Sequence, residues 1–599
     1  MGNEAIAYGA LEAGTSVITG YPGTPSSEVL ETIFYLIKRY NVKIPYAEWS
    51  INERVAFEIG LGAALAGARS LVTMKAPGAN VASDPMFSAA YCGTNAGLLV
   101  LVADDPGPHT TQTEQDSRWY GDLMKLPVIE PSSPQEAHDL TIRGMELSEE
   151  IGLPIILRTT TRVNHAVGDV EVGEFKTMEY EFSFKYEPSR FVRAFMPWNR
   201  GRHKWVLEKL SEVEDKAKDL NQWIGTGEKG VITAGAAYNY VMEAIKERGV
   251  EDEYSVLKLG LIYPPPRNLL KEFLSSVKEV TVVEEIDPYL EEKVKFLAYE
   301  WKLNVEVRGK QEGILPEVGE LDPGSVKRAL FKREAIEVEE ISLPRRPPPM
   351  CPGCPHIGSF YSILRGIRKA GYKKDQIPIF GDIGCYALSL NPPFEAIWTE
   401  HSMGASISMA AGIKAAGFDI PSIAVIGDST FFHAGIPGLI DAVNKGLDIL
   451  VFILDNGTVA MTGHQSTPAY EISESGRRLK PVSIEELVKA IGVDHVAVVD
   501  PYDLKGYTEK VAEFLKLKGV KVIIAKRECA ILQSRRGVEK VYRVIPEKCT
   551  NCLVCTKLLG CPALLPVDGK ITIIEEECIG CSLCAQVCPY NAIVEVRKR

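Results

Sequence analysis

The sequence predicts an α/β protein of several domains that ends in a small cysteine-rich module, and three observations carry that prediction. Residues 1–165 alternate apolar, β-branched runs with amphipathic helical stretches, the pattern of buried parallel strands joined by helices. The alternation returns around Ser422–Leu454, beyond a proline-dense stretch, Leu343–Pro355, that reads as a domain boundary. Eight of the thirteen cysteines fall between Cys549 and Cys588, in two ordered sets.

Composition narrows the class. A length of 599 residues allows about three to five domains, and a hydrophobic content of 45% suits large buried cores. A net charge of −12 with no long basic run argues against a nucleic-acid partner. No apolar run reaches the roughly 18 residues of a membrane span, and no charged-then-apolar leader opens the chain. A cytoplasmic protein without a membrane partner is therefore expected. Cysteines placed in ligand spacings suit a reducing compartment.

The first domain is expected over residues 1–185, with strands at Ser16–Gly20, Ser70–Lys75 and Gly97–Ala103. After the first strand, Tyr21-Pro22-Gly23-Thr24-Pro25-Ser26-Ser27 is expected to open a helix, with Thr24 as N-cap and Pro25 in the first helical position. The free N–H groups of such a helix start can hold a carboxylate. Ser50-Ile51-Asn52-Glu53 has the form of a capping box, in which Glu53 would close its own helix. The loop Pro108–Arg118 gathers His109, Gln112, Gln115 and Arg118. Arg118 can pair bidentately with a carboxylate, and an ordinary solvated loop is the competing reading.

Residues 186–228 are charged and helical from Trp205 to Leu220, a connector. Residues 229–342 read as a smaller α/β domain with strands at Gly230–Ala234 and Thr281–Glu284. Another α/β domain is expected over 350–535. There a strand at Ser422–Ile426 ends in Gly427-Asp428-Ser429, and after a helix a second strand, Asp448–Leu454, ends in Asp455-Asn456-Gly457. One βαβ unit puts Asp428 and Asn456 at the same carboxyl edge, where α/β sheets bind ligands. Their oxygens, with a nearby backbone carbonyl, are hard donors suited to Mg²⁺; turn formation at strand ends is the bland alternative.

The tail, residues 540–599, carries Cys549, Cys552, Cys555 and Cys561, then Cys578, Cys581, Cys584 and Cys588. The second set has the C-x2-C-x2-C-x3-C-P spacing of bacterial two-cluster ferredoxins, in which the fourth cysteine of each motif ligates the other cluster. One [4Fe–4S] cluster is thus assigned Cys549, Cys552, Cys555 and Cys588, and the other Cys578, Cys581, Cys584 and Cys561. The first motif is irregular, with a longer gap before its last cysteine. A zinc module would use two pairs of ligands instead.

Gly427-Asp428-Ser429 followed by Asn456 is similar to the thiamine diphosphate motif, with Ser429 and Asp455 as departures from it. The strings Leu454–Gln465, Met350–His356, Gly381–Cys385 and Thr399–Gly404 each resemble segments of the 2-oxoacid:ferredoxin oxidoreductases, and the resemblance covers nearly the whole chain. It implies two thiamine-diphosphate-binding doubly wound domains, the first for the pyrimidine ring and the second for the diphosphate. A transketolase-C-terminal-like domain would lie between them and a ferredoxin domain at the end. It implies Mg²⁺ on Asp428, Asn456 and the Thr458 backbone oxygen, and cofactor contacts from His356 and His401. Glu53 would bond the aminopyrimidine ring, and Thr24 the substrate carboxylate. It also implies a third [4Fe–4S] cluster beside the thiamine, on Cys351, Cys354, Cys385 and Cys529, which leaves only Cys92, a plausible buried apolar thiol.

The domain order is similar to that of the large subunits that act on arylpyruvates such as indolepyruvate. The implied reaction oxidatively decarboxylates an aryl 2-oxo acid with coenzyme A, giving acyl-CoA and CO2 and reducing ferredoxin. A separate small β subunit is implied too. Three alternatives stay open: another 2-oxo acid range, a non-oxidative thiamine decarboxylase or ligase, and a non-catalytic electron-transfer subunit. The second has no use for eight tail cysteines, and the third none for Glu53 and Asp428.

Overall fold

The structure is a computed structural model that describes residues 1–176, 180–194, 196–331, 344, 347–567 and 569–598. Parts of the proline-dense boundary and the end of the 229–342 stretch lie outside the described residues. The chain divides into two compact units, Met1–Glu339 and Glu340–Arg599.

The first unit is built on a seven-stranded sheet. Its strands run in the order Leu261–Tyr263, Val128–Ile129, Ile155–Thr160, Leu98–Asp104, Ser70–Lys75, Val17–Gly20, Tyr46–Trp49. All are parallel except Leu261–Tyr263, which pairs antiparallel at one edge. Every residue of Leu98–Asp104 and Ile155–Thr160 is buried, which explains why such strands read as continuous apolar runs. Alternate residues serve two cores: Leu71, Leu99 and Leu101 join one, Val72, Val100 and Val102 the other. The first strand lies between the second and third, so the topology switches there, where doubly wound sheets open a crevice.

A second sheet of five strands follows, in the order Glu306–Arg308, Glu279–Val283, Lys229–Ala234, Tyr254–Leu259, Gln222–Ile224. Its antiparallel edge strand, Gln222–Ile224, comes from the stretch read as a connector. The rest of that stretch is mainly the helix Met196–Lys216, whose Val206, Leu210 and Val213 are buried in the unit's cores.

Two helix starts differ from expectation. The helix Ser27–Tyr40 has Ser26, not Thr24, as N-cap residue. The Pro25 carbonyl accepts the side-chain amides of Asn3 and Asn164 at 2.7 and 2.9 Å, and the Ser26 N–H and hydroxyl both bond the Gly23 carbonyl. Residues 23–26 therefore make a turn outside the helix. The helix Glu53–Ala66 is capped by Asn52, whose side chain accepts the Val55 N–H at 2.9 Å. The Ser50 hydroxyl bonds Thr19 Oγ1 at 2.7 Å, so the Ser50–Glu53 capping box does not form.

The second unit holds a five-stranded, all-parallel sheet in the order Ile379–Phe380, Ile423–Gly427, Leu450–Asp455, Lys521–Lys526, His495–Val499. The helices Pro355–Lys369 and Leu504–Phe514 pack on each other over it. The tail adds two antiparallel strand pairs and two short helices, Val554–Leu559 and Leu583–Val587, and shares one core with this sheet. Among the described residues, no helix is long and apolar enough to cross a membrane.

Candidate functional site

At the carboxyl edge of the second unit's sheet, Gly427 pairs in register with Leu454, so Asp428 and Asp455 leave adjacent strands side by side. Both carboxylates accept the Gly457 N–H, at 3.0 and 3.2 Å. Burial, then the charge of Asp455, pushes the Asp428 carboxyl well above its ordinary pKa. Asp455 has the Lys526 ammonium 3.7 Å away, and the fully buried Asp428 carboxyl beside it is the one that a bound cation would relieve. Asn456 Oδ1 accepts the Thr458 N–H at 3.0 Å, and the Thr458 hydroxyl donates to the Gln465 carbonyl at 2.9 Å. Asp428, Asn456 and the Thr458 backbone thus offer oxygen donors within one loop system, a set that fits Mg²⁺. Ser429 follows Asp428 in a single short turn and is half-buried.

His356 is buried, its Nε2 3.5 Å from Asn456 Nδ2 and its ring edge-on to Tyr386. Burial lowers its pKa to about 4, so the imidazole is neutral. His401 stays exposed, on a loop tied down by Asp382, whose carboxylate accepts the N–H groups of Ile383, Gly404 and Ser406. It makes no hydrogen bond to the Asp428–Asn456 group among the described residues. His464, which sequence reasoning did not single out, closes the hairpin after Thr458 with φ +74°. Its Nε2 is buried without a hydrogen-bond partner among the described residues. Nothing in the local residue pattern singles His464 out; its left-handed backbone, rare for a non-glycine residue, emerges only in the fold.

In the first unit, the turn holding Thr24 and the helix start holding Glu53 follow neighbouring parallel strands and so share one edge. Glu53 is buried, and a Cβ at Gly78 would lie 2.7 Å from its Oε1, so only a glycine leaves room for this carboxyl. Thr24 is half-buried, and its carbonyl accepts the Thr110 hydroxyl at 3.2 Å. Asp105 holds that loop by accepting the N–H groups of Thr110 and Thr111 at 2.6 and 3.0 Å. His109 and Gln112 are exposed, and Gln115 bonds Asn80 at 3.0 Å.

Arg118 requires a correction. It does not face a crevice; it is 1% exposed and engaged inside the unit. Its guanidinium donates to Asp116 at 2.9 Å, to Glu284 at 2.6 Å and to the carbonyls of Glu285 and Asp287 at 2.7 and 3.0 Å. With its donors so engaged and its surface covered, it ties the loop after Leu98–Asp104 to the small sheet and is not available to a substrate carboxylate.

The cysteines gather in three sets. Cys561, Cys578, Cys581 and Cys584 line one cavity, and Cys549, Cys552, Cys555 and Cys588 line another, each set drawing its fourth cysteine from the other motif. Cys351, Cys354 and Cys385 sit close enough to one another and to Cys529 that, after burial, their charges raise one another's pKa. Among the described residues, no three His, Cys, Asp or Glu side chains close on a single ion. Four thiols lining a cavity fit a cubane, which spreads its ligands wider. Backbone N–H groups already point at sulfur, from Tyr542 to Cys578 at 3.4 Å and from Ala592 to Cys588 at 3.3 Å.

Three family descriptions match parts of the chain. "Pyruvate flavodoxin/ferredoxin oxidoreductase, thiamine diP-bdg" covers residues 8–223, "Thiamine pyrophosphate enzyme, C-terminal TPP binding domain" 382–525, and "4Fe-4S binding domain" 571–594. The chain is 42% identical to the indolepyruvate oxidoreductase subunit IorA of Archaeoglobus fulgidus, over 99% of this chain and 96% of that protein. It is 41% identical to the protein of the same name from Methanothermobacter thermautotrophicus, over 99% and 96%. For Pyrococcus abyssi the identity is 40%, over 100% and 97%.

Proposed function

The chain belongs to the indolepyruvate ferredoxin oxidoreductase α-subunit family, and we propose from that premise that it converts aryl 2-oxo acids and coenzyme A to acyl-CoA and CO2, passing the electrons to ferredoxin. It is a thiamine diphosphate-dependent oxidoreductase with [4Fe–4S] clusters in its tail. Thiamine diphosphate, when bound, supplies the electron sink for the pair released with CO2.

The chain's own residues would then divide the work. Asp428, Asn456 and the Thr458 carbonyl hold Mg²⁺ and through it the diphosphate. Glu53 keeps a proton in place at the aminopyrimidine, and Thr24 orients the substrate carboxylate. The neutral His356 offers a hydrogen bond without adding charge beside Asn456.

One observation carries the oxidative reading: the Cys529 N–H donates to the Asn456 carbonyl at 3.0 Å. A cysteine of the third set is thus fastened to the metal-type loop, which supports a third [4Fe–4S] cluster on Cys351, Cys354, Cys385 and Cys529 beside the cofactor. Onward, Gly353 lies against Ile579 and Cys581, where a Cβ would come within 2.2 Å of the Ile579 side chain, and its N–H bonds Cys561. Such contacts favour single-electron transfer along the cysteine sets in sequence.

The relatives are named as subunits, which supports a small β partner. All thirteen cysteines are free, which suits a reducing cytoplasm. The test is an anaerobic preparation with the β subunit. Bound thiamine with iron near twelve atoms per chain, and specificity for arylpyruvates over pyruvate, is the expected result. Thiamine without iron points to a non-oxidative decarboxylase, and iron without thiamine to an electron-transfer subunit.

A further inference from the structure

We propose that the basic groove between the helices Pro355–Lys369 and Leu504–Phe514 docks the small acidic iron–sulfur carrier that receives the electrons; this rests on the electron-transfer reading above. Arg365, Arg368, Lys369 and Lys505 line the groove, with Gln586 in its wall. The carboxylate of Glu509, also in the lining, sits 3.4 Å from Lys369. Arg365, Arg368 and Lys505 form no ion pair among the described residues. On a chain of net charge −12, this is a local concentration of uncompensated positive charge.

Helix stability accounts for only half of it. Arg368 and Lys369 stand in the last turn of their helix, where cations complement the dipole. Arg365 lies outside that last turn, its guanidinium 5.5 Å from the Tyr361 ring. Lys505 is in the first turn of Leu504–Phe514, where a cation gains nothing from the dipole; the Asp503 carboxylate there is taken up in capping, accepting the Gly506 N–H at 3.0 Å. An anionic surface seated in the groove gives the exposed lysine the counter-charge it otherwise lacks.

The groove is also fastened to the cluster domain. Gln586 donates to the Tyr502 carbonyl at 2.7 Å and accepts the Leu504 N–H at 3.3 Å. It stands on Leu583–Val587, two residues after Cys584 of one cysteine set and two before Cys588 of the other. A carrier seated there lies beside ligands of both tail clusters. In each encounter one electron leaves a reduced tail cluster, [4Fe–4S]¹⁺ becoming [4Fe–4S]²⁺, and the carrier's cluster gains that electron. Two encounters clear the two electrons of one substrate, and no proton moves in this step.

The test uses the holoenzyme with its β subunit, a bacterial-type ferredoxin of net negative charge, and methyl viologen as artificial acceptor. The double variant Arg365→Glu, Arg368→Glu is expected to raise the KM for ferredoxin by about tenfold or more, because rim charges act mainly on encounter rate. Its kcat with methyl viologen should stay within about twofold, and its ferredoxin rate should lose most of its salt dependence. Lys505→Ala, a milder change, should shift the ferredoxin KM the same way by less. Lys204→Glu, at an exposed position on the first unit's helix Met196–Lys216, should leave it unchanged. An unchanged ferredoxin KM, an equal loss with both acceptors, or a rise in the KM for coenzyme A alone overturns the proposal. A wild-type enzyme that reduces methyl viologen but no ferredoxin instead defeats the acceptor reading on which it rests.

Discussion

The carboxyl edges of the two large sheets present their polar groups in different ways. In the second unit, Asp428 and Asn456 come directly off the ends of paired strands, and the Gly427–Leu454 register places them before any loop intervenes. In the first unit, the comparable groups sit on loops and helix starts whose positions depend on distant partners. Thr24 is set by Asn3, Asn164 and Thr110, and Arg118 by Glu284 and Asp287. A site built on strand ends follows from local pattern; one built on loops follows from tertiary contacts. The sharpest way to break this contrast is to remove one group from each edge. Asp428→Ala should abolish thiamine retention through gel filtration, since outer-sphere partners alone cost about 10–100-fold in metal affinity and a ligand costs more. Iron content should stay at the wild-type value. Stoichiometric thiamine in this variant would count against the metal assignment.

Glu53→Gln tests the other edge. Asn52 caps the helix without help from Glu53, so thiamine content and unfolding temperature should stay near wild type. Turnover should fall by about 10²–10⁴, the usual range for losing a positioned proton-transfer group. Activity within a few fold of wild type would leave Glu53 a packing residue against Gly78.

Arg118→Ala separates a structural arginine from a substrate-binding one. It would strand the buried Asp116 and Glu284 carboxylates, and breaking a buried pair costs about 3–5 kcal/mol. The expected result is a large drop in the unfolding midpoint of the first unit. A variant that folds normally but shows a raised KM for the 2-oxo acid would restore the binding reading.

The same interior predicts a pH effect. Burial raises the Glu285 carboxyl to about 7, and its Oε2 accepts the Leu321 N–H at 3.1 Å. A carboxyl with a folded pKa above its unfolded value of 4.5 favours folding while it is protonated, and that contribution is lost as pH rises through about 7. Glu285→Gln keeps an acceptor for Leu321 and cannot ionise. Relative to wild type it should be neutral near pH 4, gain stability between pH 4.5 and 7, and level off above that. The plateau is about 3–4 kcal/mol, two to three pK units at 1.36 kcal/mol each. Denaturant titrations at three pH values decide it, and a pH-independent difference would refute it.

Much of the architecture is legible in the residue pattern alone, for a physical reason in each case. Parallel strands buried on both faces, such as Ser70–Lys75 and Leu98–Asp104, leave runs of apolar residues with little else to mimic them. The cysteine spacings are legible because a cubane restricts which positions can reach it. Helix starts are less so. The sequence Thr24-Pro25 and the Ser50–Glu53 pattern both have good capping chemistry, yet Asn3, Asn164 and Thr19 take those groups from far along the chain. The small sheet's edge strand Gln222–Ile224 is three residues long, too short for a period of two to stand out. Charge in a loop says least. The run His109–Arg118 looks uniformly polar, but it places His109 in solvent and Arg118 in the interior.

The smallest predicted effect isolates the helix that carries Glu53. Asn52→Ala removes the side chain that accepts the Val55 N–H, and losing such a cap costs about 1 kcal/mol. The Glu53 carboxyl packs against Gly78 and takes no part in the Asn52 cap, so catalysis should fall little, by roughly twofold or less at 25 °C. The pair of variants then gives opposite signatures: Asn52→Ala lowers the unfolding midpoint and spares turnover, and Glu53→Gln does the reverse. If Asn52→Ala instead cuts turnover as deeply as Glu53→Gln, the position of the carboxyl depends on the cap. The first edge would then owe its site to local helix-start chemistry, as the second owes its site to strand register, and the contrast between the two sheets would narrow.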